Sequence, residues 1–262
     1  MISSSSNVRM KQVIQWQTKA KERRNAGIFL IEGIKLFEEA PEQNLQEIYV
    51  SEGALEKIHM QSNLWEKLEG LRYEVVTDDV FAKISDTQTP QGILCVVRRP
   101  EYQLEQMLKE KNPLLMVLEH IQDPGNLGTI VRTGEGAGIT GVIMTRQTVD
   151  IYNPKTIRAT MGSIFRVPFL YVDDLPEVIN KLHENDIQTY AAHLNGSQYY
   201  DSFSFKKGTA FLIGNEGNGL QQETAQAARH YLKIPMEGRV ESLNAAIASA
   251  LLMYEAHRQR SV

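Results

Sequence analysis

The 262-residue sequence lacks the features of a disulfide-stabilised, membrane-spanning or metal-binding protein. Its single cysteine, Cys95, excludes an internal disulfide and any site built from several cysteines. No run approaches the ~20 apolar residues that cross a bilayer, and the start, "MISSSSNVRMKQV", lacks the apolar centre of a signal peptide. No histidines, cysteines and carboxylates are spaced as metal ligands. We therefore expect a cytoplasmic protein that contacts no membrane and holds no metal ion.

The sequence has little excess of either charge, since its net charge is only −4. That value argues against indiscriminate binding to polyanions, although a whole-chain sum hides local patches. Residues 9–24, "RMKQVIQWQTKAKERR", carry six basic side chains against one acidic side chain. We predict that Lys21, Arg23 and Arg24 in this segment contact nucleic-acid phosphates. A solvated helix face is the alternative.

Apolar runs of strand length alternate with helical patterns along nearly the whole chain, which predicts an α/β protein. Four strands are expected in the first hundred residues, at "GIFLIEG", "LQEIYVS", "YEVVT" and "GILCVVRR". Six more are expected later, at "LLMVLEH", "GVIMTR", "VPFLYV", "IQTYAAH", "TAFLIG" and "HYLKIP". A charged connector ending in proline separates the two groups. We predict one domain over residues 1–105 and a second over 106–262.

The glycines of the second half do not form a nucleotide-phosphate loop. "GAGITG" has the spacing of a dinucleotide fingerprint, but it follows a predicted helix and leads into a strand, which is the reverse of the order such a site needs. We interpret it as the end of a helix. "GNEGNG" is not followed by the Gly-Lys-Ser/Thr of a P-loop. A nicotinamide-dependent oxidoreductase is therefore disfavoured.

Three stretches share one organisation, with small or polar residues between an apolar strand and a helix. They are "LEHIQDPGNLGTIVRTGEGAG", "TAFLIGNEGNGL" and "LKIPMEGRVESLNAAIASALLMYEAHR". Such strand ends are where open α/β sheets hold ligands. In order, they resemble the signature of the SpoU, or TrmH-type, RNA ribose 2′-O-methyltransferases of the SPOUT superfamily. The segments "KAKERRNAGIFLIEGIKLFEEA" and "SDTQTPQGILCVV" resemble the substrate-binding domain that many members carry.

The resemblance implies a catalytic α/β domain with a deep trefoil knot, preceded by a smaller α/β RNA-binding domain similar to certain ribosomal proteins. It implies S-adenosylmethionine as cofactor, RNA rather than DNA as substrate, and a homodimer. Its motifs assign catalytic roles to Asn126, Arg132, Glu216, Ser242 and Asn244. They assign cofactor contacts to Leu194, Gly214, Ile234, Met236 and Leu243.

The resemblance leaves several points open. A guanidinium keeps its proton far above neutral pH, so we expect Arg132 to clamp a phosphate and stabilise developing negative charge rather than act as a base. Glu216 is expected to orient Arg132 or a backbone amide. The extra N-terminal domain favours large-subunit ribosomal RNA as substrate over transfer RNA. An RNA-binding protein that has lost catalysis is the remaining alternative.

Overall fold

A computed structural model describes residues 1–194, 196, 198–239 and 242–261. The chain divides into two compact units, residues 1–100 with 152–165 and residues 101–151 with 166–262. In the described part of the chain, no helix is long and apolar enough to cross a membrane.

Four strands and six helices lie in the first hundred residues. In chain order they are α1 (Val8–Thr18), α2 (Ala20–Ala26), β1 (Ile28–Glu32), α3 (Ile34–Glu39), β2 (Leu45–Ser51), α4 (Glu52–His59), α5 (Ser62–Glu69), β3 (Glu74–Val76), α6 (Asp78–Ile84) and β4 (Ile93–Arg98). The strands form one mixed sheet in the order β1-β4-β2-β3. Strand β4 runs antiparallel to both neighbours, whereas β2 and β3 are parallel.

The rest of the chain holds the larger sheet. Its elements are α7 (Leu104–Leu108), β5 (Leu114–Leu118), α8 (Pro124–Ala137), β6 (Gly141–Thr145), α9 (Pro154–Thr160), β7 (Phe169–Val172), α10 (Leu175–Glu184), β8 (Gln188–Ala192), β9 (Gln198–Tyr199), β10 (Thr209–Ile213), α11 (Gln222–Ala227), β11 (His230–Lys233) and α12 (Ala245–Arg260). The strand order is β7-β6-β5-β10-β8-β11-β9, and every pairing is parallel.

The central strands of this parallel sheet are apolar along their whole length. All five residues are buried in β5, in β6 and in β10, as expected when helices cover both faces of a parallel sheet. One core cluster joins these three strands to α10; its members include Leu115, Val117, Ile143, Ala210, Leu212, Leu175, Ile179 and Leu182. The sequence thus predicted the α/β class correctly, and each of the ten predicted strands is present.

Three local predictions were wrong. The sequence pattern of "ALEKIHMQSNLWEKLEG" predicts one helix, but this stretch forms two, α4 and α5, because the chain turns between His59 and Ser62. The two-residue strand β9 was not expected. The sequence predicts a helix over "NLGTIVRTGEGAG" with Asn126 as its possible cap. Helix α8 begins earlier, at Pro124, because the Asp123 carboxylate accepts the backbone N–H of Asn126 at 2.8 Å and caps the helix. The Asn126 side chain is therefore free for other contacts.

Helix α8 ends at the "GAGITG" motif, as the sequence predicted. Gly138 has a φ of +75°, and its N–H donates to the Glu135 carbonyl at 3.0 Å while the N–H of Ile139 donates to the Gly134 carbonyl at 2.9 Å. This pair of bonds is a glycine-terminated helix end. The interpretation of this motif as a helix end is confirmed.

Helix α9 groups with the first unit although it follows β6 in the chain. The Phe29 ring on β1 lies 4.6 Å from the ring of Tyr152 and 6.1 Å from that of Phe165, measured between centroids. Arg158 on α9 pairs with Asp86 at 2.8 Å. The first unit is thus made of two separate stretches of chain, and the division at residue 105 stays a prediction.

Candidate active site

The carboxyl ends of β5 and β10 adjoin, and they carry two of the three motifs. From β5 the chain proceeds to β6 and β7 on one side, whereas β10, β8 and β11 lie on the other. This is the point at which the strand order of the parallel sheet reverses, where open α/β sheets hold their ligands. Glu119 to Asp123 follow β5, and Gly214 to Leu220 follow β10.

The side-chain amide of Asn126 joins all three motifs. Its Nδ2 donates to Glu216 Oε1 at 2.9 Å. Its Oδ1 accepts from Asn244 Nδ2, also at 2.9 Å. Asn244 is in turn the N-cap of α12, because its Oδ1 accepts from the backbone N–H groups of Ala246 and Ile247. Residues that are 90 and 118 positions apart in sequence thus meet in one hydrogen-bonded chain.

Glu216 is an ionised acceptor in this chain. Besides the Asn126 amide, it accepts the backbone N–H groups of Gln122 at 3.2 Å and Asp123 at 3.3 Å. Partial desolvation raises the pKa of Glu216, but the hydrogen bonds from Asn126 and from backbone amides outweigh it and hold the pKa below its ordinary value. The bonds of Glu216 go to backbone amides and Asn126, rather than to Arg132.

The turn at Gly214 has no space for a side chain. A Cβ at this position would lie 2.1 Å from the backbone of Gly219 and of Leu220. The turn is closed by paired backbone bonds between Asn215 and Gly219 at 3.0 and 2.9 Å. Asn215 Oδ1 also accepts the N–H groups of Gly217 and Asn218. A glycine is required here by close approach of backbone, not by an unusual φ.

The predicted cofactor residues lie on loops that leave neighbouring strands. Leu194 follows β8 and is 72% exposed, and Ile234 and Met236 follow β11 and are half-buried. Leu243 is half-buried just before α12. The turn after β8 packs closely on β11, because a Cβ at Gly196 would lie 2.7 Å from the backbone of Leu232.

Arg132, in the second half of α8, and Ser242, just before α12, lie outside the amide chain. Arg132 is exposed on α8, six residues after Asn126. Ser242 is exposed two residues before Asn244. In the part of the chain that the structure describes, neither side chain has a hydrogen-bond or ion-pair partner.

Sequence reasoning missed two residues beside this site. Glu119 is only 3% exposed, and its carboxylate binds the start of α11. His120 has a φ of +56°, and its carbonyl accepts from Asn215 Nδ2 at 2.9 Å. An acidic residue directly after an apolar strand was the available signal for Glu119, whereas no local signal marks the backbone conformation of His120.

The basic segment in the first unit is split by burial. Lys21 and Arg24 are exposed on α2. Arg23 is 3% exposed, and its Nη1 donates to the carbonyls of Trp16 at 2.7 Å and Gln17 at 3.1 Å. The prediction that Arg23 contacts RNA is therefore corrected, because its guanidinium is held inside the unit by backbone carbonyls.

The comparison with protein families matches both parts of the chain. Residues 113–254 match the SpoU rRNA Methylase family, and residues 7–95 match the MRM3-like substrate binding domain. The chain belongs to the SpoU family. The 23S rRNA (guanosine(2553)-2′-O)-methyltransferase RlmP of Bacillus subtilis is 32% identical to it over 97% of each chain.

Solved structures of SpoU enzymes have the same fold. The SpoU methyltransferase AviRb from Streptomyces viridochromogenes, in complex with AdoMet, aligns with a TM-score of 0.87 and 27% identity over 97% of this chain and 98% of that one. An RNA 2′-O ribose methyltransferase aligns with a TM-score of 0.84 and 29% identity over 100% and 99%. The predicted family, α/β fold and enzyme class are confirmed: the chain is an S-adenosylmethionine-dependent RNA 2′-O-methyltransferase.

The loops of this SpoU chain fit S-adenosylmethionine. They combine the exposed apolar side chain of Leu194 with the half-buried side chains of Ile234 and Met236. Gly214 and Gly196 bring backbone groups close together where a Cβ would clash. Apolar walls with a few backbone donors and acceptors are typical of sites for small organic cofactors.

Proposed function

We propose that this chain methylates a ribose 2′-hydroxyl of large-subunit ribosomal RNA, at the carboxyl ends of β5 and β10. The observation that carries the proposal is the Asn126 amide, which bonds Glu216 and Asn244 at once. The similarity to the 23S rRNA enzyme extends along 97% of both chains and so includes the substrate-binding domain. A ribosomal RNA substrate would place the enzyme in the cytoplasm.

The cofactor would be held by the loops at Leu194, Gly214, Ile234, Met236 and Leu243. When bound, S-adenosylmethionine supplies the electrophilic methyl group of its sulfonium. The chain's part is to hold that methyl in line with the ribose oxygen, because alignment of two reactants removes much of the entropic barrier. The closed turn at Gly214 supports this role, since its backbone is fixed by paired hydrogen bonds.

Arg132 would bind the RNA phosphate beside the target ribose. Arg132 is exposed, and its guanidinium forms no ion pair with any described side chain. A planar guanidinium binds phosphate through two parallel hydrogen bonds and stabilises negative charge as it develops on the ribose oxygen. It holds its own protons too tightly to take the hydroxyl proton, which would pass to water.

The amide chain would position the ribose. Asn126 is locked in one orientation, because its Nδ2 is committed to Glu216 and its Oδ1 to Asn244. Asn244 also fixes the first turn of α12, so Ser242 and Leu243 enter the site at a defined place. The exposed Ser242 hydroxyl is the group of this segment that we assign to hydrogen bonding with substrate or cofactor.

The test is transfer of labelled methyl from S-adenosylmethionine to unmodified total RNA, fractionated by size, with wild type, Arg132→Ala and Arg132→Lys in parallel. We expect label in large-subunit RNA that blocks alkaline cleavage at one position. Arg132→Lys keeps the charge but loses the planar fork, so it should be strongly impaired. Label confined to the small RNA fraction would move the substrate to transfer RNA, and near-normal turnover by Arg132→Lys would refute the clamp.

We also infer that the chain forms a homodimer through α12. Ile247, Leu251 and Tyr254 are 52%, 38% and 49% exposed, and they lie on one face of this helix. With Ala250 and Tyr200 they line an open groove. A second copy presenting the same face would bury these side chains in an isologous interface.

Sedimentation of the wild type and of Leu251→Glu tests the dimer. The wild type should sediment as a dimer and the variant as a monomer, because a carboxylate in the centre of an apolar interface is costly. Lys181→Glu, an exposed change elsewhere in the same unit, is the control. A monomeric wild type, or a variant that still dimerises, would contradict this interface.

A further inference from the structure

Glu119 is a buried carboxylate next to the site. It follows β5 directly and is 3% exposed. Its Oε2 accepts the backbone N–H of Gln221 at 2.7 Å, and its Oε1 accepts from the Thr224 hydroxyl at 2.5 Å. Among the described residues, no lysine or arginine forms an ion pair with it. Two hydrogen bonds from one segment thus hold a buried carboxyl group.

That segment is the exit of the turn after β10. The Glu119 N–H donates to the Ile213 carbonyl at 2.9 Å, where the turn begins. The Glu119 carboxylate holds Gln221 and Thr224, where the turn ends and α11 starts. One residue therefore fixes both ends of residues 214–220.

The middle of the turn is held separately. Asn215 Nδ2 donates to the His120 carbonyl at 2.9 Å. Glu216 accepts the amides of Gln122 and Asp123. The bonds of Glu216 are exposed and that of Asn215 is half-buried, whereas the bond of Glu119 to Thr224 is buried and its bond to Gln221 is half-buried. A hydrogen bond is electrostatically stronger when it is shielded from water. The buried end is the firmer attachment.

We propose that Glu119 is a positioning residue for S-adenosylmethionine, acting through the turn at residues 214–220. It touches neither cofactor nor RNA; it holds the end of a turn whose backbone lines the cofactor site. The proposal rests on the placement of the cofactor at Gly214 made above. A turn held at one end only would sample other conformations, and ordering it on binding would cost affinity.

The experiment measures the Kd of S-adenosylmethionine by calorimetry and the Tm without ligand. We compare Glu119→Ala with Glu119→Gln, whose side chain can accept from Gln221 and donate to the Thr224 hydroxyl. Glu119→Ala should weaken binding about tenfold or more, which corresponds to one buried hydrogen bond. Glu119→Gln should stay within about threefold of the wild type by the same reasoning.

A pair of threonine variants separates positioning from general stability. Thr224→Val removes the hydroxyl that binds Glu119, and Thr209→Val removes a hydroxyl that donates to the Lys207 carbonyl at the opposite end of β10. Both threonines are buried, at 2% and 1% exposure. Both variants should lower the Tm, but only Thr224→Val should raise the Kd.

The outcomes are distinct. Equal Kd values for Thr224→Val and Thr209→Val, or an unchanged Kd in Glu119→Ala, would overturn the role of Glu119. An unchanged Kd in Gly214→Ala would instead contradict the placement of the cofactor at this turn. The wild-type titration, measured first, shows that the protein binds the cofactor under the conditions used.

Discussion

The two edges of the parallel sheet both carry polar side chains, and they differ in what those side chains contact. At the amino edge, Arg260 donates to the carbonyls of Phe205 and Asn112 at 2.7 Å and of Lys207 at 2.6 Å. The Arg260 guanidinium is thus bonded to backbone carbonyls of residues that precede β5 and β10. At the carboxyl edge, Arg132 is exposed and has no partner among the described residues.

The difference separates arginines that support the fold from arginines available to a substrate. Arg23 in the first unit belongs with Arg260, because backbone carbonyls also hold its guanidinium. Sequence position does not distinguish these cases, since each arginine lies in or beside a helix. The two kinds of arginine are distinguished by what the guanidinium contacts.

Exchange of the two arginines for alanine gives the largest contrast. Arg132→Ala should lower kcat about 100- to 1,000-fold, as loss of a group that stabilises the transition state does, with an unchanged Tm. Arg260→Ala should lower the free energy of unfolding by about 2 kcal/mol or more through lost charged hydrogen bonds, with kcat unchanged at a temperature where it is folded. Methyl transfer and thermal unfolding of both variants measure this. A loss of stability in Arg132→Ala equal to that of Arg260→Ala would remove the distinction.

The orientation of Asn126 provides the next test. Asn126→Asp places a second carboxylate against Glu216, and like charges repel. Activity should fall about 10- to 100-fold at pH 8, as expected when substrate is misplaced. It should recover in part as the pH falls, because repulsion raises the pKa of the pair and protonation restores a donor. The matched control is Asn218→Asp, which adds a charge to the same turn at an exposed position.

Much of the fold and the three motifs could be predicted from the sequence, because these features depend on residues that are close together in the chain. Strands β5, β6 and β10 are buried on both faces, so each is a continuous apolar run visible without a structure. The end of α8 at Gly138 was predictable because a glycine terminates helices by a local mechanism. The three motifs were identified because, in order, they resemble the SpoU signature.

The features that could not be predicted from the sequence depend on contacts that local sequence patterns do not specify. The Asn126 amide was a possible helix cap until the structure showed Asp123 in that position. The grouping of α9 with the first unit depends on the rings of Tyr152 and Phe165 against Phe29. The burial of Arg23 depends on carbonyls six and seven residues away. Neither periodicity nor composition specifies such pairs.

The turn at the carboxyl edge can be compared with a glycine at the end of α8. Gly214→Ala places a methyl group 2.1 Å from backbone atoms, so the turn must move. We expect the Kd of S-adenosylmethionine to rise about tenfold or more, by the loss of at least one backbone contact. Gly138→Ala meets nothing within 4 Å and is strained only by its φ of +75°, which costs about 1 kcal/mol of stability. The Kd of S-adenosylmethionine should not change in Gly138→Ala. A rise equal to that of Gly214→Ala would show that a strained substitution at either glycine affects the site.

The smallest expected effect is on RNA binding by the first unit, where Lys21 and Arg24 are exposed and Arg23 is buried. Reversal of both exposed charges, Lys21→Glu with Arg24→Glu, should weaken RNA binding several-fold and reduce the slope of log K against log salt by about 1 to 2, as loss of two phosphate contacts predicts. The control, Lys109→Glu with Lys111→Glu, makes the same change in net charge on exposed residues of the other unit. Equal salt slopes for the two double variants would mean that α2 is an ordinary solvated surface, whereas a flatter slope in the first alone would place RNA phosphates on it.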